Sequence, residues 1–244
     1  MVEESLILYS FATMSHITED VQVGSAIPED IILENKRKER RLHQRVPSHS
    51  IVLDYDDTIF PSSWFSQLLT YTSCLTREME RELNRVDECA SRLILEALTY
   101  SSVVIITNAE EGWVQESAKH YLPRVSHLLK WVTVVSARSR YEDKYQLECG
   151  KWKELTFQDE LPKLMPPNCE RYSILSIGDS LHEREAAIAF GESASNVTVK
   201  SIKMIECPSP SQLATELELI ANALSSMVLS RDSLDLKLSV QPSI

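Results

Sequence analysis

Short apolar runs alternate with longer apolar stripes along the chain after about residue 49. The runs are rich in β-branched residues and too short for helices, which predicts buried strands at 51–53, 103–106, 131–135, 173–177 and 197–205. Between them, apolar residues recur at three- and four-residue spacing, as from Leu75 to Ala97, which predicts helices with one buried face. Because such alternation is typical of a parallel sheet covered on both faces, we predict an α/β fold. We expect a Rossmann-like three-layer sandwich with a mainly parallel five-stranded sheet.

Capping residues mark the ends of several predicted helices. Thr76 is expected to cap the helix of the long stripe, and Ser209-Pro210-Ser211-Gln212 has capping-box spacing with proline at the first helical position. Pro162 is expected to end a helix that starts near Lys151, and Gly191 to end the next one.

The pattern divides the chain into three parts. Residues 1–49 are predicted to form a weakly structured arm, residues 50–227 the main domain, and residues 228–244 a C-terminal tail or edge strand. In that last part, leucines alternate with polar residues from Leu234 to Leu238, which fits either an edge strand or an unpaired tail. The arm holds a basic run from Lys36 to Arg45, which fits a nuclear address or, as we favour, a solvated helical stretch.

Composition and charge exclude several classes of protein. The chain has 244 residues and a formal net charge of −11, which disfavours loose binding to nucleic acid or to anionic membranes. Its five cysteines include no CxxC pair, which argues against a disulfide framework or a zinc site and for a reducing compartment. No apolar stretch approaches the length of a membrane span. We expect a cytoplasmic protein, or a nuclear one if the basic run is an address.

Acidic, amide and hydroxyl residues follow three of the five predicted strands. Asp54 and Asp56 follow the first strand, Thr107 and Asn108 the second, and Asp179 the fourth. Parallel strands end at the same edge of a sheet, so these side chains should face a common crevice. Carboxylates fit a hard cation such as Mg²⁺, and a hydroxyl just before a helix N-terminus fits an anion. The alternative for each residue alone is a solvated polar turn.

These motifs resemble those of the haloacid dehalogenase (HAD) superfamily of phosphotransferases. Asp54-Tyr55-Asp56-Asp57-Thr58 looks like the first motif, DxDxT after a hydrophobic strand, and Thr107 looks like the second. Gly178-Asp179-Ser180-Leu181-His182-Glu183 looks like the fourth motif, GDxxxD/E. The resemblance covers roughly residues 48–225 and implies a strand order of about 5-4-1-2-3.

The third motif of the superfamily is a single lysine at the start of the helix before the fourth strand. Lys153 fits this position best, and Lys151 and Lys144 are the alternatives.

The resemblance also implies a function, a Mg²⁺-dependent phosphomonoester hydrolase that forms an aspartyl-phosphate. Asp54 would be the nucleophile and Asp56 the proton carrier. The implied phosphate-binding residues are Thr107, Asn108 and Lys153. The implied metal ligands are Asp54, Asp179 and the backbone carbonyl of Asp56, and the supporting residues are Thr58, Gly178 and Glu183.

The intervals between the motifs are too short to hold a separate cap domain. We therefore expect a little-covered site that admits a phosphorylated substrate, including a macromolecular one. Several polar residues fit either a rim of this crevice or an ordinary solvated loop: Arg138, Arg140, Tyr141, His182 and Arg184.

Two alternative functions are also consistent with parts of this pattern. A non-catalytic scaffold that binds phosphorylated partners is consistent with the absence of a cap and with the two tails. A two-component receiver also combines acidic residues, threonine and lysine around magnesium. It would need its phosphoacceptor aspartate after the third strand, where this chain has Ser136-Ala137-Arg138.

Overall fold

The computed structural model of the chain describes residues 5–8, 49–71, 75–167 and 169–241. Its strands are β1 (Ser5–Leu8), β2 (His49–Leu53), β3 (Ser102–Thr107), β4 (Thr133–Ser136), β5 (Tyr172–Gly178), β6 (Val197–Lys203) and β7 (Leu234–Gln241). Its helices are α1 (Ser62–Tyr71), α2 (Arg77–Tyr100), α3 (Trp113–Tyr121), α4 (Pro123–Leu128), α5 (Ala137–Tyr141), α6 (Cys149–Leu164), α7 (Leu181–Ser193) and α8 (Pro210–Leu229). Among these residues no helix is both long and apolar enough to cross a bilayer. The basic run from Lys36 to Arg45 lies outside the described residues.

The strands form one sheet in the order β1-β7-β6-β5-β2-β3-β4. Strands β2 to β7 are parallel, and β1 pairs antiparallel with β7. The α/β class and the predicted order of the five strands β6-β5-β2-β3-β4 are confirmed, but the predicted number of strands is wrong. The C-terminal leucines form β7 because Leu236 and Leu238 are buried in the core. Since β1 covers the outer side of β7, the C-terminal strand is not the edge of the sheet.

Helices cover both faces of this sheet. The helices α2, α3, α4 and α8 share one apolar core with the sheet, and α5, α6 and α7 share the other. In β2 the two faces alternate, because Ile51 and Leu53 face the first core and Val52 faces the second. A strand buried on both faces reads as a continuous apolar run, which is why this one could be recognised from the sequence.

The helix caps are partly as predicted. Thr76 accepts a hydrogen bond from the backbone N–H of Met79, and Ser209 opens a complete capping box. Pro162 lies inside α6, in its last turn, where a missing N–H costs one hydrogen bond near the helix end. Gly191 also lies inside its helix and does not end it. Glycine is required at this position because a side chain there would overlap Val199 of β6.

Candidate active site

Three adjacent strands bring the predicted polar residues to one edge of the sheet. β2 lies between β3 and β5, and all three strands run in the same direction. Asp54, Thr107 and Asp179 therefore stand at neighbouring strand ends. The chain passes from β2 through β3 to β4 and then returns to β5 on the other side of β2. This edge is thus the point of reversal at which open α/β sheets bind ligands.

A buried lysine joins two buried carboxylates at this edge. The Nζ atom of Lys153 lies 2.6 Å from Oδ1 of Asp54 and also contacts Oε1 of Glu183. Burial raises the pKa of Asp54 well above its usual value, and the charge of Lys153 opposes this rise. Burial would also raise the pKa of Glu183, but Lys153 outweighs it and the pKa is lowered. Burial alone would lower the pKa of Lys153, but the two carboxylates raise it, so the ammonium stays charged.

Glu183 is held in place by the start of its own helix. Its Oε2 atom accepts hydrogen bonds from the backbone N–H of Ser180 at 3.0 Å and from the Ser180 hydroxyl at 2.6 Å. Gly178 lies against it, and a Cβ atom at position 178 would come within 2.5 Å of the Glu183 side chain. Both Glu183 oxygens are therefore engaged, one with Ser180 and one with Lys153, which fits a supporting position.

Asp179 contributes the third carboxylate of this cluster. Within the described residues it forms neither a hydrogen bond nor an ion pair through its side chain. Burial, followed by the charges of Glu183 and Asp57, raises the pKa of Asp179 to about 7. Oxygen atoms of Asp54, Asp179 and Glu183 all lie within 4.8 Å of one another. Such a set of oxygen atoms could hold a metal ion.

Asp56 lies beside Thr107, as the strand order predicts. The Thr107 hydroxyl donates to Oδ2 of Asp56 at 3.1 Å and accepts from the backbone N–H of Ala109 at 2.9 Å. The other oxygen, Oδ1, accepts a hydrogen bond from the indole of Trp113 at 2.9 Å. Both carboxylate oxygens of Asp56 are thus oriented by donors from the β3–α3 segment.

A tight turn fixes the direction of the chain after Asp56. The Tyr55 carbonyl accepts hydrogen bonds from the N–H groups of residues 58, 59 and 60, and Asp57 takes a left-handed conformation with φ of 53°. The Asp57 carboxylate accepts from the backbone N–H of Ser63 at 2.9 Å, so it caps the start of α1. Thr58 is fully buried, and its hydroxyl oxygen has no hydrogen-bond partner within the described chain.

Other predicted residues take positions that the motifs do not reveal. The side-chain amide of Asn108 donates to the carbonyl of Cys149 at 3.2 Å and so ties the β3 end to the start of α6. Of the alternative lysines, Lys151 pairs with Glu154 at 2.8 Å, and Lys144 lies over a tyrosine ring. Only Lys153, among the three, contacts Asp54.

Most of the predicted rim residues are bound to surface partners. These pairs are Arg138 with Glu142, Arg140 with Glu160, Tyr141 with Asp159, and Arg184 with Asp235. Their polar groups are matched by neighbouring carboxylates, which favours the alternative of a solvated surface for Arg138, Tyr141 and Arg184, whereas Arg140 also lines a cavity next to Thr107.

Two site residues have no signal in the sequence. Trp113 reaches Asp56 only because α3 begins next to the end of β2. Lys203 ends β6, and its Nζ donates to the backbone carbonyl of Asp179 and to Glu206 at 2.8 Å. Lys203 therefore holds the loop that carries Asp179, whereas the sequence presents it as one lysine in a strand.

Comparison of the chain with protein-family models, with curated proteins and with solved structures gave no match. Membership of the haloacid dehalogenase superfamily therefore stays a prediction that rests on the motifs.

Proposed function

We propose that this protein is a Mg²⁺-dependent phosphomonoester hydrolase that acts through an aspartyl-phosphate on Asp54. The observation that carries the proposal is the arrangement of Asp54, Lys153 and Asp179 at one sheet edge, next to the pair formed by Asp56 and Thr107. Phosphoryl transfer to a carboxylate needs a nucleophile, positive charge near the phosphoryl group and a proton carrier. Here the positive charge would come from the Lys153 ammonium and from a magnesium ion.

Asp54 is the nucleophile in this proposal. One of its oxygens forms a bond to phosphorus while the bond between phosphorus and the leaving oxygen breaks. The charge of Lys153, 2.6 Å from Asp54, offsets the negative charge that spreads over the phosphoryl oxygens. A magnesium ion, held by Asp54, Asp179 and the backbone carbonyl of Asp56, would supply further positive charge between the two anions.

Asp56 carries the proton in both steps. It donates a proton to the leaving oxygen, and then accepts one from the water that hydrolyses the aspartyl-phosphate. The Thr107 hydroxyl donates to Oδ2 of Asp56 at 3.1 Å, and it becomes free to donate to a phosphoryl oxygen when Oδ2 itself carries the proton. A cavity of about 140 Å³ extends from Thr107 between the start of α3 and β4, and it offers room for part of a substrate.

The described chain holds two helices between β2 and β3 and one short helix between β4 and α6. Of the two helices between β2 and β3, α2 packs against α8 on one face of the sheet. Within the described residues, therefore, no separate domain lies over the strand ends. This supports a phosphorylated substrate whose size is not restricted by a lid.

The test is hydrolysis of an aryl phosphate by the full chain. We expect turnover with Mg²⁺, background rates after chelation with EDTA, and full recovery when excess Mg²⁺ is added back. Equal rates with and without the chelator would contradict the proposal. Affinity for phosphorylated partners without turnover on a broad panel of phosphate esters would instead favour the non-catalytic scaffold.

Asp56→Asn should separate the two steps of the reaction. An amide cannot donate or accept the proton, so turnover should fall by about 10²–10⁴-fold. The backbone carbonyl stays in place, so Mg²⁺ binding measured by calorimetry should persist. With an activated leaving group, the phosphoenzyme should form and then hydrolyse slowly, so intact-protein mass spectrometry should detect one added phosphoryl group on Asp54. Phosphate found on Asp56 in the native protein, or on Asp179, would overturn the assignment.

A further inference from the structure

Trp113 is the one aromatic side chain among the described residues that hydrogen-bonds to an acidic group of the candidate site. Its indole Nε1 lies 2.9 Å from Oδ1 of Asp56, and 36% of the residue is exposed. The ring packs edge-on against the buried Phe60, with 6.2 Å between ring centroids. Phe60 itself lies in the turn that follows Asp56, so both contacts of the indole fix it relative to this carboxylate.

We infer that Trp113 is a positioning residue that decides which oxygen of Asp56 carries the transferable proton. An indole N–H only donates hydrogen bonds, so Oδ1 of Asp56 has to accept in every protonation state that keeps this contact. The carbonyl oxygen of a protonated carboxyl group accepts far better than its hydroxyl oxygen, so the contact with the indole favours the state in which the proton resides on Oδ2. The Thr107 hydroxyl, which lies 3.1 Å from Oδ2, both donates and accepts, so it tolerates either state of that oxygen.

This assignment rests on the proposed function and gives each proton a defined place. In the first step the leaving oxygen keeps the electron pair of the broken P–O bond and takes the proton from Oδ2. In the second step water attacks the phosphorus of the aspartyl-phosphate, its proton passes to Oδ2, and the Asp54 carboxylate leaves. Throughout, Oδ1 stays bound to the indole, so the carboxyl group does not rotate.

The alternative is that Trp113 only fills space beside Phe60. The two roles differ in their dependence on the leaving group. Loss of a proton-positioning contact should harm alcohol leaving groups, which need a proton, far more than 4-nitrophenolate, which does not. Loss of packing should harm both substrates alike.

The test is Trp113→Phe, which keeps an aromatic ring for Phe60 but removes the N–H. On an alkyl phosphate we expect kcat/KM to fall by about 10-fold, because the acid is retained but its orientation is lost. On 4-nitrophenyl phosphate the fall should be only about twofold, so the ratio of the two rates changes. The matched control is Trp131→Phe. Trp131 lies in the turn before β4, at the amino end of that strand and away from the candidate site, so both rates and their ratio should stay unchanged.

A second measurement needs no turnover. The indole N–H resonance of Trp113, identified by its absence in Trp113→Phe, should shift in Asp56→Ala and stay in place in Asp143→Ala, a change in an exposed turn. Equal losses on both substrates, no loss on either, or an unshifted resonance would overturn the inference. If the native protein hydrolyses neither substrate, the proposed function fails and the proton assignment fails with it, whereas a shifted resonance would still establish the contact.

Discussion

Replacing Asp54 by asparagine should lower turnover of a phosphate ester by at least about 10⁴-fold, as expected when a covalent nucleophile is removed. An amide is a poor nucleophile, and it also carries no charge for the cation that Asp54 and Asp179 would hold. The change should not unfold the protein, because asparagine has the same shape and Lys153 keeps its contact with Glu183. The measurements are initial rates on an aryl phosphate, intact-protein mass spectrometry after brief exposure to substrate, and thermal unfolding.

The matched control is Asp143→Asn, in an exposed turn, which should keep native turnover. Asp54→Asn should show no added phosphoryl group under conditions in which Asp56→Asn accumulates one. Full activity of Asp54→Asn, or a phosphoryl group on that variant, would remove Asp54 from the role of nucleophile.

Replacing Lys153 by methionine should destabilise the protein more than other single changes at the site. Both carboxylates that contact Lys153 are almost fully buried, so its removal leaves two like charges without their cation. Breaking a buried ion pair typically costs about 3–5 kcal/mol, and for a chain of this size the melting temperature should fall by about 10 °C. Turnover should fall as well, since the charge next to Asp54 is lost. The measurement is thermal unfolding in a chelating buffer.

Two comparisons make this prediction specific to the cluster. Lys151→Met, two residues away on the same helix, removes a surface lysine and should melt close to the native protein. Adding Asp54→Asn to Lys153→Met removes one of the facing charges and should recover part of the lost stability. Mg²⁺ should also raise the melting temperature of Lys153→Met, because a cation can then occupy the space between the carboxylates. A variant that melts like the native protein in chelating buffer would contradict the buried cluster.

The parts of the fold that could be predicted are those that leave a local pattern of apolar or capping residues in the sequence. β2 is buried on both faces and appears as a continuous apolar run, and Ser209 and Gln212 form the predicted capping box. β1 has only four residues, and its pairing with β7 depends on a strand at the other end of the chain. A local pattern holds no information about such a partner, so the sheet was predicted with too few strands.

The site could be predicted only as far as it follows the strand ends. Asp54, Thr107 and Asp179 were found because parallel strands end at one edge. The contact between Lys153 and Asp54 depends on how α6 crosses the sheet, and only a family resemblance pointed to it. The partner of Asn108 could not be predicted in this way. Its amide donates to the Cys149 carbonyl, which only tertiary packing brings close. Trp113 begins α3 directly after a polar loop, and an exposed aromatic residue at that position gives no sign of its partner.

The central position of β2 has a consequence for local unfolding. β2, β3 and β5 each have a bonded strand on both sides, whereas β4 and β1 are the outermost strands among the described residues. Amide hydrogens of a sheet exchange with solvent fastest where partial opening starts, at the least bonded and least buried strands. We therefore expect the backbone that carries Asp54, Thr107 and Asp179 to belong to the slowest-exchanging part of the sheet. Fraying of either edge strand should therefore leave these three strand ends in place.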